Sequence, residues 1–224
     1  MASVSAQSVV ITPKKTVYRR PKPMHDFKRT FTIRRPIAKA ATSALSKKIT
    51  AAISPDSVLD INLREEMREY QWLEEADYKV LYNRNGVLSI ELWMTGTAAY
   101  PDGVTKRIVV DIQNGKRVSI ADAFSRLPQL ATLIRKAQIQ EVKKATEEMK
   151  SDPDAQPEQL FSETNFTTED LKEFSVNDKG VTFYYDYGFP HVLEGLQPDG
   201  EFMFDWQTLK PFVRRDGLLA RFIR

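Results

Sequence analysis

The sequence predicts an α+β fold: an antiparallel β-sheet meander with helices packed on it, preceded by a basic extended N-terminal arm. Three observations predict it. Tyr78, Val80 and Tyr82, then Val87 to Trp93, then Ile108, Val110 and Ile112 alternate with polar neighbours, the period-two pattern of half-buried strands. The turns "NRNG" and "QNG" carry Asn-Gly pairs, which tolerate the positive φ of a tight hairpin. Ala41, Leu45, Ile49 and Ile53, and later Leu130, Leu133 or Ile134, Ala137 and Val142, recur at helical spacing.

The elements follow in order. Residues 1–24 read as the arm, because Pro13, Pro21 and Pro23 each remove a backbone donor and disfavour helix in the residue before. "FKRTFTIRRPI" alternates Phe27, Thr30 or Phe31, and Ile33 with cations, as an edge strand does. The Ala-rich helix after it stops near Ser54-Pro55. "INLREEMREYQWLEE" fits either a short helix, through Leu63, Met67 and Tyr70, or an extended run into the meander. Beyond the meander, Ser119 is a candidate cap for a helix from about Ala121, and Pro128 suits the first turn of a longer one. "TTEDLKEF" starts a short helix capped by Thr167 or Thr168, and "FSVNDKGVTFYYDYG" with "GEFMFDWQTLKPFV" forms a second hairpin-like pair. Residues 25–224 are expected as one α/β domain or as two small lobes meeting near 115–125.

At 224 residues and 42% hydrophobic, the chain can bury a core of this size. No apolar run approaches the roughly 18 residues needed to cross a bilayer. Cysteine is absent, which excludes disulfides, thiolate metal sites and thiol nucleophiles. Charge is polarised: residues 1–54 hold twelve Lys/Arg against Asp26, a balance of +11, while the remaining 21 Lys/Arg and 29 Asp/Glu leave −8. Such an arm can hold phosphates, anionic lipid or an anionic wall polymer, or pack on the acidic remainder. No recognition helix, aromatic stacking module or zinc spacing accompanies it, so nucleic acid is not expected as a partner. Val4, Ser5 and Ala6 before Gln7 have the spacing of the small-residue end of a secretory signal, although the basic and apolar regions that precede such an end are missing. The expectation is an extracytoplasmic protein, periplasmic or secreted, with its signal peptide removed; a flexible Ala/Ser-rich start is the alternative.

Catalytic and metal signatures are weak. "DPDAQPEQLFSE" places Asp152, Asp154 and Glu163 at calcium-loop positions, but Pro157 replaces the required glycine and Gln156 replaces a ligand, so it reads as a solvated acidic loop. His25 and His191 lie in different regions without metal-ligand spacing, and no G-x-S-x-G elbow is present. Asp186 with Glu194 or Asp205 has the residue types for acid/base work on a sugar, but strand alternation scatters such pairs as easily as it gathers them. In "VTFYYDYGF" alternation puts Val181, Phe183, Tyr185 and Tyr187 on one side, and Thr182, Tyr184 and Asp186 on the other. One side is core; the other, beside Trp206 and the glycine- and proline-shaped "GFPHVLEG" loop, offers flat rings with polar edges suited to proteins and sugars.

"YNRNGVLSIELWMTGTAAYPDGVTKRIVVDIQNGKRVSIADAF", a long helix, then "FSVNDKGVTFYYDYGFPHVLEGLQPDGEFMFDWQTLKPFV" resembles an uncharacterised domain of the DUF3298/DUF4163 kind. That domain forms the extracellular part of lysozyme-sensing anti-sigma factors and accompanies some peptidoglycan deacetylases. The resemblance spans about residues 27–213 and rests on the order of turns and aromatics: an "N-x-N-G" turn, an "AYP" step, "NGK", "SIADAF" and "FYYDYGF". It implies an α/β fold with antiparallel sheet and packed helices, and an extracytoplasmic setting. Neither the sensors' signalling nor the deacetylases' chemistry carries over, and His191 stands where the family more often has a tyrosine.

The reading is therefore a binding module for a protein or cell-wall glycan ligand, with no catalysis of its own and no cofactor. Its expected contact residues are Tyr100, Tyr184, Tyr187, His191 and Trp206. The rivals are a cell-wall hydrolase or modifying enzyme using Asp186, His191 and Glu194, and an oligomeric scaffold in which one copy's arm lies on another's acidic body.

Overall fold

The computed structural model describes residues 8–150 and 155–223. The signal-like Val4, Ser5 and Ala6, and Asp152 and Asp154 of the acidic loop, lie outside them. The fold is α+β, and it divides into two compact units, one running to Val118 and including Ser175–Asp178, the other formed by Ser119–Phe174 and Lys179–Arg224.

The first unit is built on a six-stranded sheet of order β1-β2-β3-β4-β5-β6: Val10–Arg19, Thr30–Lys39, Leu73–Arg84, Val87–Thr97, Pro101–Asp111 and Lys116–Arg117. The expected meander is β3 to β5. Its first turn is Asn85 (φ 53°) and Gly86 (φ 73°) between the paired Arg84 and Val87, the two positive-φ residues of a type I′ hairpin. "INLREEMREYQWLEE" divides into both readings: α3 spans Leu63–Arg68, capped by Asn62, and β3 begins at Leu73. Leu88, Ile90 and Leu92 share one core with Ile49 of α1 (Ser43–Ala52) and with Ile53, its C-cap, and α2 (Pro55–Val58) is next in sequence. Ser89 is buried too, where its Oγ accepts the Val176 N–H at 3.1 Å.

Two expectations change. "FKRTFTIRRPI" is not an edge strand, because Val10–Arg19 pairs along its full length with β2 and takes the edge itself. Pro13 faces Pro36 in that register, so a single rung bears both missing donors, and Lys14, Lys15 and Pro13 deter a further strand from adding. The sheet is also not wholly antiparallel: β2 runs parallel to β3 at Thr32 and Ile33, and the helices α1 to α3 supply the crossover that parallel strands require.

Two cations of the basic region are interior. Arg20 is 2% exposed and Lys28 5%. The Lys28 ammonium donates to the carbonyls of Gln71 (2.8 Å) and Thr97. Gln71 itself is buried at φ 46°, its amide accepting from Met24 N–H and donating to Lys22 O, both at 2.8 Å. Elsewhere the charges pair near the surface. Arg35 grips both oxygens of Asp56 at 2.7 Å, and that contact, outweighing partial burial, holds the Asp56 carboxyl below its ordinary range. A carboxyl with a lowered folded-state pKa stabilises above its unfolded value of about 3.9, and that contribution is lost as pH falls through the folded value. Asp56→Asn should therefore lose about 1 kcal/mol or less at neutral pH and show a shallower acid limb below about pH 4 in urea titrations. An unchanged acid limb would remove Asp56 from the linkage.

The second unit starts with α4 (Ile120–Ala123), closed by a reciprocal box between Ser119 and Asp122. α5 (Leu127–Met149) carries Pro128 in its first turn. Its buried stripe is Leu130, Ile134, Gln138, Ala145 and Met149, so Leu133, Ala137 and Val142 are only half-buried. Gln138 earns its interior place by accepting the Phe166 N–H at 2.8 Å. α6 (Pro157–Leu160) and a 3-10 turn capped by Thr167 follow. β7 (Phe174–Val176) leaves only Phe174 in this unit, while β8 (Gly180–Tyr184) and β9 (Glu201–Asp205) belong to it entirely. β8 and β9 pair antiparallel from Gly180↔Asp205 to Tyr184↔Glu201, and α7 (Trp206–Leu209) closes the hairpin. Phe124 packs on Phe174 and Phe183, and Phe166 on Tyr185 and Phe202, giving this unit an aromatic interior. Among the described residues, no helix is long and apolar enough to cross a membrane.

Candidate functional site

The segment between β8 and β9, residues 185–200, folds back on the second half of α5. Its sequence dictates this: Tyr187, Phe189, Leu193 and Leu196 are too apolar to stay in solvent, and α5 presents Ala145 and Met149 one turn apart. Phe161 completes the cluster, edge-on to Tyr187 at 5.6 Å and tilted against Phe189 at 5.2 Å. Polar bonds then fix the path. Phe189 N–H donates to Gln197 Oε1 at 2.9 Å, Asp186 Oδ1 accepts from Gly188 N–H at 2.9 Å, and a 3-10 turn spans His191–Leu196.

The decisive tie is the Tyr187 hydroxyl, which donates to Glu141 Oε2 at 2.6 Å. Burial, reinforced by the Glu141 carboxylate, pushes this phenol far above its ordinary pKa, so Tyr187 is a neutral donor at all physiological pH. Beside it opens a cleft of about 450 Å³. One wall is a single face of α5, where Glu141, Lys144 and Glu148 recur at helical spacing; the other is Gln197, Pro198 and Asp199. Ala145, Met149 and Leu196 supply its apolar part. Lys144 lies 3.6 Å from Glu148, so Glu141 and Asp199 leave the cleft acidic.

The expected contact residues separate. Tyr100 belongs to the first unit, 65% exposed at the tip between β4 and β5. The other four belong to the second. Tyr187 lies beyond the end of β8, packs in the Phe161 cluster and supports the cleft from behind rather than offering a free ring. Trp206 is half-buried and stacked on Phe222, with centroids 4.3 Å apart and planes 5° from parallel. Tyr184 is half-buried at the end of β8. His191 is exposed, with Nδ1 3.1 Å from Glu194 Oε2, and neither lines the cleft. Asp186, the third member of the hydrolase rival, is engaged by Gly188 and by Gln197 Nε2 at 3.4 Å.

Sequence reasoning does not pick out Glu141, Lys144 and Glu148 of this lining. The available signal was a match of two patterns: apolar residues inside a glycine-bounded loop, and a small and a flexible apolar side chain among the charges of the last two turns of a helix.

No family model and no curated protein matches the sequence. Solved structures do match. A DUF3298 family member from Bacteroides fragilis superposes with a TM-score of 0.61 at 14% identity, covering 97% of each chain. A DUF3298 family protein from Pseudomonas aeruginosa gives 0.58 at 14%, covering 93% of this chain and 95% of that one. The chain has the fold of DUF3298 family proteins, as the order of its turns and aromatics implied.

Proposed function

We propose that this chain is an extracytoplasmic binding module that seats a protein or cell-wall glycan ligand in the acidic cleft, without a catalytic step of its own. The observation that carries the reading is a cleft whose walls are formed in advance: the Tyr187–Glu141 bond and the Phe161 cluster hold the 195–199 wall against α5. Preorganised walls spare the ordering cost that a loose loop incurs on binding. The lining offers acceptors in excess, Glu141, Glu148, Asp199 and the Gln197 carbonyl, against the donors of Lys144 and the Gln197 amide. The matching ligand brings donors, either sugar hydroxyl and acetamido groups or the Lys and Arg side chains of a basic protein. The extracytoplasmic setting rests on the resemblance.

Calorimetric titration with peptidoglycan fragments and with lysozyme as a basic protein tests this. Glu141→Gln with Asp199→Asn should weaken binding about tenfold or more, because each change removes a charge while leaving an acceptor. His191→Ala with Glu194→Ala should leave it unchanged. Turnover of a wall fragment that His191→Ala abolishes would replace the binding module with the hydrolase.

A further inference from the structure

We propose that the second unit carries an anion pocket, distinct from the acidic cleft, which takes a phosphate-bearing group of more than one negative charge. Two stretches remote in sequence build it. Ser125 N–H and Oγ both donate to Phe212 O, at 2.7 and 3.1 Å, and Arg214 N–H donates to Ala123 O at 3.0 Å. A backbone bridge joins Phe124 to Val213. This stitching brings Arg126 from one side and Lys210, Arg214 and Arg215 from the other around a cavity of about 650 Å³.

The charges around it do not cancel. Asp216 neutralises Arg214 through a fork at 3.2 and 3.0 Å. The side chains of Arg126, Lys210 and Arg215 make no hydrogen bond or ion pair among the described residues. Three uncompensated cations around one space repel one another, and a multivalent anion relieves that repulsion. Guanidinium forks fit tetrahedral oxyanions through paired N–H···O bonds, which favours phosphate over an isolated carboxylate. α5 begins beside the cavity with no acidic residue in its first turn and no side-chain cap, so its positive end adds to the field. Pro211 and Val213 give only a small apolar contact, so the recognised part of the ligand is its charge.

Inorganic pyrophosphate and orthophosphate are the soluble probes, titrated calorimetrically into the full chain at about 0.15 M salt, where diffuse surface attraction is screened. Phosphatidylcholine vesicles with and without phosphatidic acid are the lipid arm, read by co-sedimentation. The test variant combines Arg126→Gly, Lys210→Gln and Arg215→Gln. Arg126 sits at φ 53°, a conformation glycine adopts without strain, so this variant should keep its melting temperature. The control removes the same charge elsewhere, by Lys136→Gln, Lys143→Gln and Lys172→Gln. Pyrophosphate should bind at least about tenfold tighter than orthophosphate, and the pocket variant, not the control, should lose about tenfold or more. Vesicle binding that depends on phosphatidic acid and is lost only in the pocket variant also supports the pocket, and assigns its phosphate to a lipid headgroup. Binding that survives in the pocket variant, equal loss in the control, or no binding of the soluble probes or of the phosphatidic acid vesicles overturns it.

Discussion

Arg20→Met is expected to destabilise the first unit by about 3–5 kcal/mol, the scale of breaking a buried charged network by removing one member. The guanidinium spends its donors inside the protein: Nε on Glu66 O at 2.8 Å, Nη1 on Lys28 O at 2.9 Å, Nη2 on Leu73 O at 2.7 Å and on Glu66 Oε2 at 3.3 Å. It also lies 4.6 Å from the Phe31 ring. Burial lowers its pKa, and Glu66 opposes that shift. Methionine fills much of the volume but satisfies none of these acceptors, and each buried carbonyl left without a partner costs about 1–3 kcal/mol. Lysine should restore little, because a point ammonium cannot reach three carbonyls fixed in a fork. By contrast Lys144→Met, in an exposed pair with Glu148, should cost under about 1 kcal/mol. Urea unfolding followed by tryptophan fluorescence measures this in a Trp206→Phe background, where Trp72 and Trp93 of the first unit are the remaining fluorophores. A loss near that of Lys144→Met would mean that Arg20 is only a packed aliphatic stem.

The same residue marks where sequence reading runs out. Period and turn chemistry are local, so β3 to β5, the Asn85-Gly86 turn, the Ser119 cap and Pro128 at the start of α5 were all visible in the chain. Charge counting identified a basic N-terminal region but could not tell Arg20 from Arg19, since what separates them is a set of carbonyls at residues 28, 66 and 73. The parallel pairing of Thr32 and Ile33 with Glu75 and Ala76 depends on a crossover of three helices, which no period encodes. At the candidate site, alternation grouped Tyr187 with Phe183 and Tyr185, and all three pack on other rings, but β8 is buried on both faces at Thr182 and Phe183, so alternation marks no open side there. The cleft itself needed the pairing of the 185–200 loop with α5, and Glu141 becomes recognisable as a site residue only once Tyr187 is seen donating to it.

Gly200→Ala should cost about 3 kcal/mol and take the cleft with it, because this position combines a left-handed backbone with a close approach. Gly200 sits at φ 63°, and a Cβ there would stand 2.0 Å from Tyr185 O. No rotamer can escape a contact with main chain. Tyr185 N–H also donates to Gly200 O at 2.9 Å, so moving one backbone away from the other breaks the bond that closes the loop. Tyr185 packs on Tyr187 at 5.0 Å, and Tyr187 holds Glu141, so the displacement reaches the cleft wall in two steps. Gly188 supplies the comparison: its φ is 64°, yet nothing lies within 4 Å of its missing Cβ. Gly188→Ala should therefore cost only the left-handed term of about 1 kcal/mol, with binding in the cleft retained. Unfolding midpoints and cleft titrations of the two variants separate the contributions, because the backbone angles match and only the obstruction differs. Equal losses would show that the angle accounts for both glycines and that the loop tolerates displacement at Tyr185, in which case the cleft wall is not held by the route through Tyr187.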